Sequence, residues 1–239
     1  MRMRTPLIIA FLVALFGFPE LYAQQSSLND YLAECERKYG DDPDLVNGEK
    51  YYYPYKQSQG DPFFYSDSRK AKLLIHEKEF AGQQLRYDVF NQKLILDFLD
   101  IYGASSSLVL RSEWVEEFAF EKQRFIRMEG PEGEPGFFQL VAAGHVSCVY
   151  EWSKNHLLNL NSGVQSYYFT DPVKRSYLVI DGQFYPYKNN GSFLKAFDPE
   201  QQKMVKQFMK QSRVKVKKAP DSQIRHVIEY CNSLFHEDS

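Results

Sequence analysis

The sequence predicts an α+β protein: a mainly antiparallel β-sheet, arranged as a sandwich or a partly open barrel, with an N-terminal helix and two C-terminal helices. Three observations predict it. The chain carries 17 Tyr and 19 Phe, residues that suit pleated, half-buried surfaces. Short runs of period-two alternation fill its middle, separated by turn residues. The final forty residues change to a period near 3.6, behind strong helix-start signals.

The first 23 residues stand apart. Arg2 and Arg4 precede an apolar run over 6–18, and Pro19-Glu20-Leu21-Tyr22-Ala23 ends in a small residue. This is the layout of a secretory signal peptide cleaved after Ala23. The run falls short of the ~20 residues of a membrane-spanning helix, which disfavours an uncleaved anchor. The expected mature chain is exported, periplasmic or secreted, and starts at Gln24. Without Arg2, Arg4 and Glu20 it holds 27 basic and 30 acidic residues, a net charge of −3. A near-neutral chain has no global attraction for nucleic acid or an anionic membrane. No later apolar run reaches 18 residues, so no transmembrane segment is expected in the mature chain.

Ser26 or Ser27 caps a predicted helix over 28–39, closed by Gly40; this helix and its loop form a segment over 24–48. An antiparallel β core follows over 49–192. Tyr51-Tyr52-Tyr53-Pro54-Tyr55 contains a proline and reads as an edge strand or extended arm. Gly60-Asp61-Pro62 turns the chain. Strands are expected at 72–76, 80–87 and 93–99, the last two joined by a hairpin-sized link at 88–92. Leu94, Leu96 and Phe98 alternate with Lys93, Ile95 and Asp97, which marks one buried face. Further strands fall at 107–111, 115–120 and 124–128. The Gly/Pro/Glu loop at 130–136 is the strongest internal punctuation, and can divide the core into two sub-blocks near 129–136.

The second block has strands at 137–142, 145–152, 165–169, 176–180 and 183–187. Asp181-Gly182 between the last two is a hairpin signal, because both turn residues need positive φ. The helical segment covers 193–239. Asp198-Pro199-Glu200 supplies a cap, a proline at the first position and a first-turn acid. Pro220-Asp221 opens the last helix, with Ile224, Val227, Ile228, Cys231 and Leu234 on one face.

The residues carry no obvious catalytic constellation. His76-Glu77-Lys78-Glu79 lacks a second His four residues on, and the five His are scattered, so no metal or cofactor site is expected. No Gly-x-Ser-x-Gly elbow occurs. Cys148 lies on the apolar side of a strand with Val146 and Tyr150, and reads as a buried thiol. Cys35 and Cys231 both fall on predicted terminal helices and can pair as a disulfide, although sequence does not fix connectivity. Asp97 with Asp100, and Glu116 with Glu117, are local neighbours that establish no cleft. The basic run Lys203, Lys206, Lys210, Arg213, Lys215, Lys217 and Lys218 reads as a solvated helix face and linker, or as a contact for acidic polymers or lipid headgroups. Two aromatic stretches, Tyr51, Tyr53, Tyr55 and Phe184, Tyr185, Tyr187, are candidate ligand-binding platforms.

Residues 82–99, read as Gly-x-x-Leu-x-Tyr-Asp-x-Phe-Asn-x-x-Leu-x-Leu, resemble a hairpin of uncharacterised secreted β-rich proteins of Bacteroidota-type bacteria. Gly136-Phe137-Phe138-Gln139-Leu140 with Gly144, and Glu229-Tyr230-Cys231-Asn232 in the final helix, are similar too. The resemblance implies an envelope-associated protein with an antiparallel core and C-terminal helices, and implies no activity. The expected function is therefore a non-catalytic binding or assembly module for an envelope protein, peptide or glycan. One assembly route is strand addition at the edge near Tyr51–Tyr55. The alternative is a hydrolase of envelope polymers, which requires His76, Asp97, Asp100 or His145 to converge in a cleft.

Overall fold

The computed structural model describes residues 42–100, 102–159 and 166–235. The expected signal peptide over 1–23, the predicted helix over 28–39 and Cys35 lie outside the described residues. The elements belong to one compact unit, residues 44–239.

The strands in chain order are β1 (Glu49–Lys50), β2 (Ser58–Gln59), β3 (Arg69–Ile75), β4 (Lys78–Asp88), β5 (Lys93–Leu99), β6 (Ser105–Val109), β7 (Val115–Phe120), β8 (Gln123–Glu129), β9 (Pro135–Ala142), β10 (Val146–Ser153), β11 (His156–Asn159), β12 (Ser166–Phe169), β13 (Val173–Ile180) and β14 (Gln183–Tyr187). Helices α1 (Asn190–Leu194), α2 (Pro199–Gln211) and α3 (Asp221–Leu234) follow. Eleven strands form one antiparallel sheet in the order β1-β6-β5-β4-β3-β7-β8-β9-β10-β13-β14. A second sheet, β11-β12-β2, contains a parallel pair, β12 with β2. The antiparallel α+β expectation holds, but the sheets are open and no barrel closes.

Turn chemistry explains most of the hairpins. Asp181 and Gly182 sit at φ 50° and 77° between β13 and β14, as the Asp-Gly pair requires. His76 and Glu77 adopt φ 49° and 64° and form the two-residue loop that lets Ile75 pair with Lys78. The strand expected over 72–76 therefore ends one residue early, at Ile75. The same turn geometry is met there without glycine, because strand pairing on both sides imposes it at a local cost.

The sheet cannot be flat. β6 and β7 lie four strand spacings apart in sheet order, roughly 19 Å at ~4.8 Å each. Their link, 110–114, is folded on itself, with Trp114 N donating to Arg111 O at 3.0 Å. β4 provides the bend. Residues 78–85 pair with β3, whereas 84–88 pair with β5. Where the register shifts, Gly82 takes φ 74°, a bulge that tightens the local twist. The curl wraps a core around Leu73, Ile75, Leu85, Leu94, Leu108 and Phe118.

A second core lies between β9, β10 and β13 and the helices. Cys148, Val146 and Leu178 meet Val205 and Met209 of α2, and Ile224, Val227, Ile228 and Cys231 of α3. The predicted α3 stripe is thus the buried one. Asp198 caps α2 through Glu200 N and Gln201 N, with Pro199 at the first position. The short helix α1, capped by Asn189, was not expected; five residues hold too little periodicity to be read. The 130–136 loop is a tight turn, Gly130 N to Glu134 O at 2.9 Å, and the sheet runs on through it. The two large cores do divide close by, the first ending at Phe137 and the second starting at Val141.

Candidate functional site

The residues after β1 form an extended arm anchored where Tyr51 N donates to Ser107 O at 2.8 Å. Alternation turns Tyr51, Tyr53 and Tyr55 inward and leaves Tyr52 73% exposed. Tyr51 and Tyr53 pack on Phe63, with ring centroids 6.5 and 6.1 Å away. The Tyr51 hydroxyl is buried with no hydrogen-bond partner among the described residues, and burial raises its pKa.

Tyr55 is the hub of a larger cluster. Its ring lies 4.9 Å from Phe169, 5.2 Å from His156 and 6.1 Å from Phe90. The His156 ring stacks on Phe169 at 4.4 Å and 15°. The His156 ring also lies 5.1 Å from Tyr167 and 6.0 Å from Phe90. Pairing of His156 with Phe169, Leu158 with Tyr167, and Tyr167 with Ser58 puts all five on one face of the small sheet. Ser58 Oγ and His156 Nε2 are 2.9 Å apart. Tyr167 is 50% exposed and Phe90 38%, so the rim of this face is open to solvent.

The tip of the β4–β5 hairpin completes the face. Asp88, almost fully buried, accepts from Phe90 N at 3.0 Å, Asn91 N at 2.8 Å and Asn91 Nδ2 at 2.8 Å. That Asx turn aims Phe90 and Asn91 at the cluster. Burial raises the Asp88 pKa against these hydrogen bonds. Asn91 Nδ2 also donates to the Tyr55 hydroxyl at 3.1 Å. Gln92 fixes the turn to the main sheet, donating to Val89 O at 2.8 Å and Trp152 O at 3.1 Å. On the other flank, Lys154 Nζ reaches Asp61 O at 2.8 Å and Asp61 Oδ1 at 3.2 Å. Burial opposes Asp61 ionisation, but bonds from Ser66, Phe63 N–H and Lys154 outweigh it and hold the pKa low.

The expected second platform does not assemble. In β14 the side chains alternate: Phe184 packs with Phe138 and Tyr177 on one face, while Tyr185 and Tyr187 join the helix-covered core on the other. Tyr187 is buried, with its hydroxyl 3.2 Å from Cys148 Sγ. Burial pushes the Cys148 thiol up to about 12, and Cys231 likewise, so Cys148 is the inert thiol that its strand face suggested. Cys231 lies in the core, and its proposed pairing with Cys35 falls outside the described residues.

The groups named for hydrolysis stay apart. His76 lies 3.6 Å from Asp44 and packs on Trp114. His145 sits 3.9 Å from Asp181 and against Phe235. Asp100 caps its own turn through Tyr102 N and Ala104 N. Asp97 receives Arg86 at 2.8 and 2.6 Å and Ser107 Oγ at 2.5 Å. Among the described residues no group of three His, Cys, Asp or Glu is placed to hold a metal, and no helix is long and apolar enough to cross a membrane.

Asp97 has a measurable consequence. Burial is the largest influence and raises its pKa, yet the Arg86 and Ser107 bonds together lower it below the ordinary carboxylate range. A folded value below the unfolded one means that ionised Asp97 stabilises the fold above about pH 4, and that this is lost as pH falls through the folded value. Asp97→Asn is expected to lower the urea midpoint at pH 7, by an amount that shrinks as pH falls below about 4. A deficit that does not shrink would contradict the assignment.

The residues missed by the sequence reading are Ser58, His156, Tyr167 and Phe169. β2 and β12 are over a hundred positions apart, and parallel pairing leaves no local signal. The link at 88–92 was expected only as a hairpin connection; its Asp88-x-Phe90-Asn91 order is the local signal of the Asx turn found there. Comparison with protein-family models, curated proteins and solved structures returns no match.

Proposed function

We propose that the chain is an exported, non-catalytic binding module that seats a neutral glycan on the face formed by Tyr167, His156, Leu158 and Phe90. The carrying observation is the part-exposed aromatic rim beside short-range polar groups: Tyr167 and Phe90 at the edge, with the Ser58 hydroxyl, the His156 imidazole and the Asn91 amide next to them. Aromatic faces stack on the C–H faces of sugars, and a few fixed polar groups orient the hydroxyls. Export with cleavage after Ala23 is part of this reading, and N-terminal sequencing of the protein from its host envelope tests it.

Tyr167→Ala and Phe90→Ala are each expected to weaken retention on a neutral-glycan array about tenfold, near 1.4 kcal/mol. Both rings are part-exposed, so the melting temperature should hardly change. No retained glycan, or undiminished binding by Tyr167→Ala, would sink the reading.

A second reading rests on the 2.9 Å contact between Ser58 Oγ and His156 Nε2, the geometry of an activated nucleophile. Against it, no acid pairs with His156 among the described residues to orient the ring. Covalent labelling of Ser58 by a fluorophosphonate, abolished by His156→Ala, would favour hydrolysis over binding.

A further inference from the structure

Between α1, the last turns of α2 and residues 213–215 lies a cavity of 570 Å³. Its floor is apolar, made by Leu194, Met209 and Val214, and the last two are buried. Its rim carries Lys206, Lys210, Arg213 and Lys215, and no acidic residue lines it. None of the four cations has an ion-pair partner among the described residues.

We propose that this cavity binds a long-chain fatty acid, with the tail on the apolar floor and the carboxylate among the rim cations. Four cations with no ion-pair partner among the described residues create a local positive potential that a single anionic head relieves. The apolar floor then selects methylene groups over water. The volume lies within the ~300–1,000 Å³ of small-ligand sites. A membrane surface would meet a convex apolar face, whereas this one is concave and admits one detached chain.

Two further features support a built site. Asn190 pins the wall, donating to Val214 O at 3.1 Å and accepting from Val216 N at 2.9 Å. Arg213 takes φ 55° directly after α2, where Val214 N closes back on Met209 O at 2.9 Å. That is the helix-ending position at which glycine is the unstrained residue. Keeping arginine there accepts backbone strain to hold a long cationic side chain on the rim.

Calorimetric titration of the full chain with palmitate below its micelle concentration tests this. One palmitate per chain is expected, with the hexadecyltrimethylammonium cation at least tenfold weaker. Lys210→Glu and Arg213→Glu should each weaken palmitate at least tenfold; both side chains are exposed, so folding is preserved. Arg213→Gly should raise the melting temperature while weakening palmitate. Equal affinity for the cationic surfactant, no palmitate binding by folded protein, or co-sedimentation with phosphatidylglycerol vesicles without stoichiometric palmitate binding would each overturn the proposal.

Discussion

Phe118→Ala is expected to destabilise the protein by about 3–5 kcal/mol, the range for emptying a buried aromatic site. Phe118 is fully buried. Its ring stacks on Phe125 at 4.7 Å and 4°, and meets Tyr87, Phe120 and Phe137 edge-on at 5.2, 5.4 and 5.2 Å. Four rings in fixed edge and stacked geometries cannot close over a missing fifth without leaving their rotamers. A loss of that size is a large share of a typical stability of about 5–15 kcal/mol. The urea midpoint measures it, and Tyr102→Ala is the control: Tyr102 is 88% exposed, and its loss should fall within about 0.5 kcal/mol. Parity between the two variants would refute this account of the core. The effect should also reach the aromatic face, because Tyr87 donates its hydroxyl to Gln92 Oε1 at 2.5 Å, and Gln92 fixes the turn that carries Phe90 and Asn91.

Asn232→Ala should cost about 2 kcal/mol, from two hydrogen bonds worth ~1 kcal/mol each. Asn232 clasps one residue of the sheet: Oδ1 accepts from Val146 N at 2.7 Å, and Nδ2 donates to Val146 O at 3.0 Å. This ties α3 to the start of β10. Gly144 makes room for it. A Cβ at position 144 would stand 2.2 Å from Asn232 Nδ2, and φ there is 154°. Gly144→Ala should therefore destabilise through the clash and the backbone together. Part of that penalty disappears once Asn232 is shortened, so the double variant should lose less than the sum of the singles, with a coupling of about 0.5–3 kcal/mol. Strict additivity in chemical denaturation would mean that the glycine serves some other purpose.

Several glycine, Asx and asparagine positions have a plain physical role. Gly82 bends β4, Asp88 and Asn91 shape the hairpin tip, and Gly144 with Asn232 locks helix to sheet. Each position needs its residue for a backbone or hydrogen-bonding reason.

Local chemistry decided much of the architecture. Asp-Gly marked the β13–β14 turn and Asp198-Pro199 marked the start of α2. These features are set by residues within a few positions of one another, so the linear sequence carries them. The strand expected at 93–99 is β5, but not with one buried face: Ile95 is as buried as Leu94 and Leu96, because this part of the sheet is covered on both sides. Strand partners are different. β7 follows β6 in the chain but pairs with β3, while β1 and β5 occupy the two edges of β6. The aromatic face depends on that long-range closure as well: Ser58, Phe90, His156 and Tyr167 come from four separate segments. Phe184, Tyr185 and Tyr187 look equivalent in sequence, yet the pleat divides them between opposite faces of the sheet. What the sequence determined was the inventory of strands, turns and caps. The tertiary structure decided which of them meet, since burying both sheet faces is satisfied by the whole chain and by no local segment.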